Sequence, residues 1–239
     1  MTDRELAEAA AWRAGDLLRE GFGREHPVER KSASGADVVS AADREAEAAV
    51  VELLRAERPG DGLLGEEGAQ REGARTWVVD ALDGTFNYVA GVPHWCAAVA
   101  LVDADGPLAS AVCDPLAGET YSAARGAGAG RLRVRAGRAL DEAIVATFAD
   151  RRVLDAASLV ALARAAGVLR TGGAGSLDLA WVAAGRLDAW IQRNPMPWDW
   201  LPGALLVAEA GGRAVVTEDG WHVAGAPEVV EALVELELA

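Results

Sequence analysis

The sequence predicts a mixed fold in two parts, an α+β half over residues 1–140 and an α/β half over residues 141–239. Three observations carry this. Two segments with apolar residues at helical spacing open the chain. A strand-rich meander follows between His94 and Ala124. From Ile144 onward, short apolar runs alternate with helical ones, as α/β units do.

Residues 3–22 place Leu6, Ala9, Ala10, Leu17 and Leu18 at helical spacing and stop at Gly21 and Gly23. Residues 24–39 are polar and read as a loop. A second helix runs over 41–58 and stops at Pro59-Gly60. Residues 60–73 are rich in Gly and Glu and also read as a loop. Trp77-Val78-Val79 reads as a short buried strand that delivers Asp80 at its end. Strands follow over 95–102, 108–113 and 120–123, with turn signals at Asp105-Gly106-Pro107 and from Pro115 to Gly118. The run Gly126-Ala127-Gly128-Ala129-Gly130 is either a domain seam or a turn within one domain. Residues 131–135 alternate as a strand does. The second half reads as strand 144–148, helix 156–166, strand 168–170, helix 176–184 and strand 187–191. Helix 202–210, with Pro202 in its first turn, strand 214–216 and a closing helix 228–238 complete it.

Composition narrows the function. With 239 residues, 51% hydrophobic and 25% charged, the chain can bury a large core. Thirty-seven acids against twenty-three bases give a net charge of -14, which repels nucleic acid and anionic membranes, so neither is an expected partner. An anionic substrate could approach only where metal ions or local bases reverse that field. Cys96 and Cys113 lie in apolar strand-like segments and read as buried free thiols. The opening Met1-Thr2-Asp3-Arg4-Glu5 does not resemble a secretory signal, and no apolar run has membrane-spanning length, so the expected location is cytoplasmic.

Asp80-Ala81-Leu82-Asp83-Gly84-Thr85 is the most informative run. A carboxylate at the end of a buried strand is costly unless a positive charge meets it. Gly84 lets backbone approach a ligand, and a helix starting there would aim free N–H groups at an anion. Two carboxylates beside an anion require a cation between them. Oxygen donors without His or Cys select a hard ion such as Mg²⁺. Taken alone, the run could equally be a capped turn. Gly65-Glu66-Glu67-Gly68 could be a solvated turn, and Asp199 in Pro197-Trp198-Asp199-Trp200 could be a helix N-cap.

Together, in this order, the three runs resemble the signature blocks of the inositol monophosphatase family. The likeness extends over nearly the whole chain. Lys31-Ser32, Asp37-Val38-Val39-Ser40 and Asp43 resemble the family's N-terminal block, and Gly91-Val92-Pro93-His94-Trp95 follows the second block as in bacterial members. The stretch from Leu179 to Ala189 is similar to the segment before the last metal ligand. The resemblance implies a layered αβαβα sandwich of the inositol monophosphatase and fructose-1,6-bisphosphatase type, with the site between the two halves. It also implies a homodimer and lithium inhibition.

By the same resemblance, Mg²⁺ ions are held by Glu66, Asp80, the Leu82 carbonyl, Asp83 and Asp199. Glu66, Asp80 and Leu82 would share one ion, and Asp80, Asp83 and Asp199 another. Thr85, helped by Glu66 and Asp43, would orient and deprotonate the attacking water. The Gly84 and Thr85 N–H groups would hold phosphate. The substrate implied is a small phosphate monoester, inositol monophosphate first. Histidinol phosphate and other sugar or nucleotide phosphates are alternatives, as is a catalytically silent binding protein. Three positions depart from the family pattern. Ala81 replaces a usual Pro. Gln192 stands where inositol-selective members often carry Glu. Ala174 stands where a Ser is frequent. Gln192, Arg193, Asn194 and Asp199 are the expected substrate rim, and His94 is expected to be a support residue at a strand start.

Overall fold

The computed structural model describes residues 1–24, 28–30, 38–149, 155–236 and 238. Lys31, Ser32 and Asp37 of the N-terminal block lie outside the described residues. The first half runs α1 (Asp3–Gly21), β1 (Val28–Arg30), β2 (Val38–Ser40), α2 (Ala41–Glu57), β3 (Gly62–Gly65), β4 (Gln70–Arg71) and β5 (Thr76–Asp83). It continues with α3 (Thr85–Ala90), β6 (Cys96–Asp103), β7 (Gly106–Asp114) and β8 (Glu119–Ala124). The second half runs β9 (Ile144–Thr147), α4 (Ala156–Ala165), β10 (Val168–Arg170), α5 (Gly175–Ala183) and β11 (Ala189–Arg193). It ends with α6 (Pro197–Glu209), β12 (Arg213–Val216), β13 (Trp221–Gly225) and α7 (Pro227–Val234).

Two mixed sheets organise the molecule. The first has the order β4-β3-β5-β6-β7-β8, and the second β10-β9-β11-β13-β12. In the first only β3 and β5 run parallel; in the second β9 is parallel to both β10 and β11. Alternate residues of each strand face opposite sides, so three cores form. Leu6, Ala10 and Leu18 of α1 and Val50 and Leu54 of α2 pack on Trp77, Val79, Val99 and Leu101. The opposite face of that sheet, through Cys96, Ala98 and Val112, meets Leu177, Leu179 and Val182 of α5 and Leu206 and Val207 of α6. Trp190, Ala146 and Ala224 of the second sheet close that middle core from the other side. Val145, Ile191 and Val223 face outward onto Leu162 of α4 and Val229, Val230 and Leu233 of α7. The result is the expected αβαβα sandwich.

Local chemistry sets the element ends. Thr2 and Glu5 form a reciprocal cap at the start of α1: Glu5 N–H donates to Thr2 Oγ1 at 3.2 Å and Thr2 N–H to Glu5 Oε2 at 2.7 Å. Gly15 lets α1 approach β7; a Cβ there would stand 3.0 Å from Cys113 Sγ. Both cysteines are buried free thiols, as expected.

Several sequence expectations need correction. Residues 60–73 contain β3 and β4. Gly62-Leu63-Leu64-Gly65 carries too few apolar residues to announce a strand, yet it pairs parallel with β5 over Gly62 to Gly65. Residues 131–135 form no strand. Val134 N–H donates instead to Ala210 at the end of α6, and Arg135 pairs with Asp188 at 2.7 Å. β13 adds a strand between β11 and β12. α6 begins at Pro197, so Pro202 lies inside the helix. α7 ends at Val234, short of residue 238. The Gly126 to Gly130 run, for which a turn is one of the two readings the sequence leaves open, is held to α6, with the Gly126 and Gly128 N–H groups each donating to the Glu209 carboxylate at 2.8 Å.

Candidate active site

The position of Asp80 and Asp83 follows from a register slip. A regular strand would send residues three apart to opposite faces. Here Asp80 pairs with Ala98 and Asp83 with Cys96, so four residues of β5 oppose three of β6. This is a β-bulge. Ala81 and Leu82 both turn into the core beneath α1 and α2. Ala98 and Cys96 both face α5 and α6, and the two aspartates opposite them share that face. β5 thus carries the carboxylates within the strand, rather than ending at Asp80.

The next residues complete the corner. Gly84 adopts φ +96°, and a Cβ there would stand 3.1 Å from the His94 carbonyl and 3.2 Å from both Ala174 Cβ and Trp95 Cβ. Only glycine suits both the conformation and the space. α3 starts at Thr85, whose hydroxyl donates to Asp43 Oδ1 at 2.8 Å and lies 3.3 Å from the Leu82 carbonyl. Asp43 is 2% exposed, in the first turn of α2.

Glu66 follows β3. Gly65 pairs with Val79 and the Glu66 N–H donates to the Val79 carbonyl at 3.2 Å, so the same parallel register brings Glu66 beside Asp80. Asp199 comes from the other half, at the third position of α6, where Oδ2 accepts the Met196 N–H at 3.2 Å. Its neighbour Trp200 stacks on Trp190 with ring centres 5.8 Å apart and meets His222 edge-on at 5.0 Å. The tryptophans give this helix start a rigid mount.

These acids share one electrostatic neighbourhood. Burial, then the charges of Glu66, Asp83, Asp199 and Asp43, hold the Asp80 carboxyl well above the usual carboxylate range. Burial pushes Asp83 up to about 6, opposed by the Ser176 N–H that donates to its Oδ2 at 2.5 Å. Asp199 is partly exposed as a residue, but protein crowds its carboxyl. Burial and the charges of Asp83 and Glu66 push it up to about 8. Among the described residues, no three such side chains converge into a preformed metal cage. Their oxygens rest instead on separate N–H donors, at Leu82, Ser176 and Met196. The donor set is nonetheless all oxygen and mutually repelling, the chemistry that suits a hard divalent cation.

The rim residues divide. Gln192 is 7% exposed on β11, pairs with His222, and lies on the same strand face as Trp190, toward α6. Arg193 points the other way. It lies over Trp221 with its guanidinium 5.9 Å from the ring centre and donates to the Asp219 carbonyl at 3.3 Å. The strand's alternation thus turns Arg193 away from the Gln192 side. Asn194 sits at φ +45°, its N–H donating to the Gly220 carbonyl at 2.9 Å. Ala174 touches the corner at Gly84.

His94, expected as a support residue, lies two residues before β6, with its Nε2 3.2 Å from Asp178 Oδ1 on α5. Asn87 Nδ2 donates to the His94 carbonyl at 2.6 Å and to the Gly172 carbonyl at 2.9 Å, tying α3 to the loop before α5. Three contributors escaped the sequence reading: Ser176, Asp178 and Glu47. Glu47 is 5% exposed on α2, and its carboxylate accepts the Glu67 N–H at 2.7 Å and the Ala69 N–H at 3.0 Å. The signal that could have found it is its place four residues after Asp43, on the same helix face.

The family model described as the inositol monophosphatase family matches residues 2–238. The chain is 41% identical to the inositol-1-monophosphatase of Rhizobium meliloti strain 1021, covering 88% of this chain and 84% of that protein. It is 35% identical to the Nus factor SuhB of Escherichia coli strain K12, covering 95% and 92%. The crystal structure of the extragenic suppressor protein suhB from Bartonella henselae matches with a TM-score of 0.88 and 32% identity, covering 96% of this chain and 95% of that one. No helix among the described residues is long and apolar enough to cross a membrane.

Proposed function

The chain belongs to the inositol monophosphatase family, a family of phosphatases, and from that premise we propose that it hydrolyses a small phosphate monoester with Mg²⁺, inositol monophosphate first among its substrates. The observation that carries this reading is the bulge in β5, which turns Asp80 and Asp83 onto one face, within electrostatic reach of Glu66 and Asp199.

Glu66, Asp80, the Leu82 carbonyl, Asp83 and Asp199 would hold the ions. Bound there, Mg²⁺ supplies the positive charge that a phosphate dianion needs and lowers the pKa of water. The chain's own residues do the rest. Asp43 accepts the Thr85 hydroxyl proton at 2.8 Å, leaving the Thr85 lone pairs free to take a hydrogen bond from an attacking water. The α3 start at Thr85 leaves its first N–H groups without helical partners, available to phosphate oxygens. Asp199, mounted on stacked tryptophans, brings the second half of the chain to the reacting centre. Gln192 offers a neutral amide on the α6 side, suited to an alcohol hydroxyl.

Phosphate release measured with Mg²⁺ across inositol 1-phosphate, histidinol phosphate, fructose 1,6-bisphosphate and a nucleotide phosphate tests this. Turnover of inositol 1-phosphate above the others supports it; preference for histidinol phosphate replaces the substrate, and turnover of none removes the catalytic reading. A second reading comes from the relative named Nus factor SuhB, in which the fold serves binding without catalysis. All four carboxylates and Thr85 are present, which favours the enzyme. The reading includes a cytoplasmic homodimer, and light scattering that returns a single-chain mass would refute that assembly.

A further inference from the structure

The buried face of α2 carries two acids one helical turn apart, Asp43 and Glu47. Asp43 receives the Thr85 hydroxyl. Glu47 reaches the turn after β3, where Oε2 accepts the Glu67 N–H at 2.7 Å and Oε1 the Ala69 N–H at 3.0 Å. Both oxygens are thereby used on the backbone that carries Glu66. The turn also closes on itself, the Gly65 N–H donating to the Ala69 carbonyl at 2.7 Å.

A buried carboxylate is costly unless hydrogen bonds satisfy it, so an ordinary core position here would be apolar. The sequence makes room for this one. A Cβ on Gly65 would come within 2.6 Å of Glu47 Cδ, and the three nearest atoms to it all belong to that carboxylate. Gly65 lies outside the left-handed region, so space, and not backbone conformation, is what the glycine provides.

We propose that Glu47 is a positioning residue for the metal site. It fixes the Glu66 turn to the helix that also holds Thr85 through Asp43, and so sets where the Glu66 carboxylate stands relative to Asp80. α2 then acts as a splint between two loops that the two sheet strands β3 and β5 deliver separately. This rests on the reading of Glu66 as a metal ligand.

The test compares wild type with Glu47→Gln, Gly65→Ala, Glu47→Ala and the Glu47→Ala/Gly65→Ala double variant. A glutamine keeps the shape but opposes one of the two N–H donors with its own NH₂. Amide exchange in chelator-treated protein and calorimetric titration with MgCl₂ are measured alongside turnover. In Glu47→Gln, exchange should accelerate at residues 66–69 and not across β6 and β7. Its Mg²⁺ affinity should fall roughly 10-fold to 100-fold, as when other supporting partners of metal ligands are lost. The value of kcat at saturating Mg²⁺ should stay within a few-fold. Gly65→Ala should weaken Mg²⁺ binding in the wild-type background and add little where Glu47 is already alanine. Unchanged Mg²⁺ affinity in Glu47→Gln, or an equal effect of Gly65→Ala in both backgrounds, overturns the assignment even if the protein melts earlier. If wild type binds no Mg²⁺, the reading of the site itself fails, and the positioning role with it.

Discussion

The Thr85 hydroxyl donates to Asp43 Oδ1 at 2.8 Å, joining the first residue of α3 to the first turn of α2. Asp43 is almost wholly buried, so this bond is shielded from water and its geometry is kept. It orients the Thr85 hydroxyl at the corner that follows Asp83 and Gly84.

Thr85→Val keeps the shape and removes that hydroxyl. The expected result is a loss in kcat of about 100-fold or more, the usual scale of a general acid–base contribution, with KM little changed. Thr85→Ser should retain much of the rate. Steady-state kinetics on the preferred phosphate monoester check this, and a serine variant as inactive as valine would speak against the hydroxyl's role.

The raised carboxyls make stability depend on pH in an unusual direction. Asp83, pushed up to about 6, and Asp199, pushed up to about 8, bind protons in the folded chain that an unfolded chain has released by about pH 4. Folded chains therefore hold more protons between these limits. Their contribution is full below pH 4 and is lost as pH rises toward 8. In chelator, Asp199→Asn should melt later than wild type at pH 8, with the gap closing near pH 5. Adding Mg²⁺ should raise the wild-type melting temperature most at pH 8 and do little for the variant. Differential scanning fluorimetry over pH 5 to 8 reads both, and a wild-type protein that gains stability over the variant as pH rises in chelator contradicts the assignment.

Gln192 tests the substrate side. Replacing a neutral hydrogen bond by a charged one strengthens it by about 1 kcal/mol, roughly fivefold in discrimination. Gln192→Glu should raise kcat/KM for inositol 1-phosphate over phenyl phosphate, which lacks neighbouring hydroxyls, by about that factor. It should also lower stability, since the residue is buried. An equal change for both substrates would remove Gln192 from substrate recognition.

Much of this architecture is legible in the sequence, and the failures have physical causes. Long helices and apolar strands announce themselves by period, as α1, α2, β6 and β7 do. β3 does not, because four residues framed by glycines gain strand character only by pairing with β5. Residues 131–135 alternate like a strand but find Ala210 and Asp188 in place of a strand partner. Asp80, Asp83, Glu66 and Asp199 stand out as a motif. That Asp80 and Asp83 share a face does not, because a bulge exists only against its partner, here Cys96 and Ala98 on β6. Arg193 shows the converse, since alternation from a correctly placed β11 would have turned it away from Gln192. Glu47 reads as one more acid on an amphipathic helix until the Glu67 and Ala69 N–H groups appear beside it.

Calorimetric titration of wild type and Asp83→Asn with MgCl₂ at pH 8, repeated in two buffers of different ionisation enthalpy, addresses the carboxylate cradle most directly. The expected result is saturable binding to wild type with release of protons from the raised carboxyls, and loss of that binding in an Asp83→Asn protein that remains folded. Saturable binding of equal strength in Asp83→Asn, or none in wild type, would contradict a metal site built on Asp80, Asp83 and Asp199.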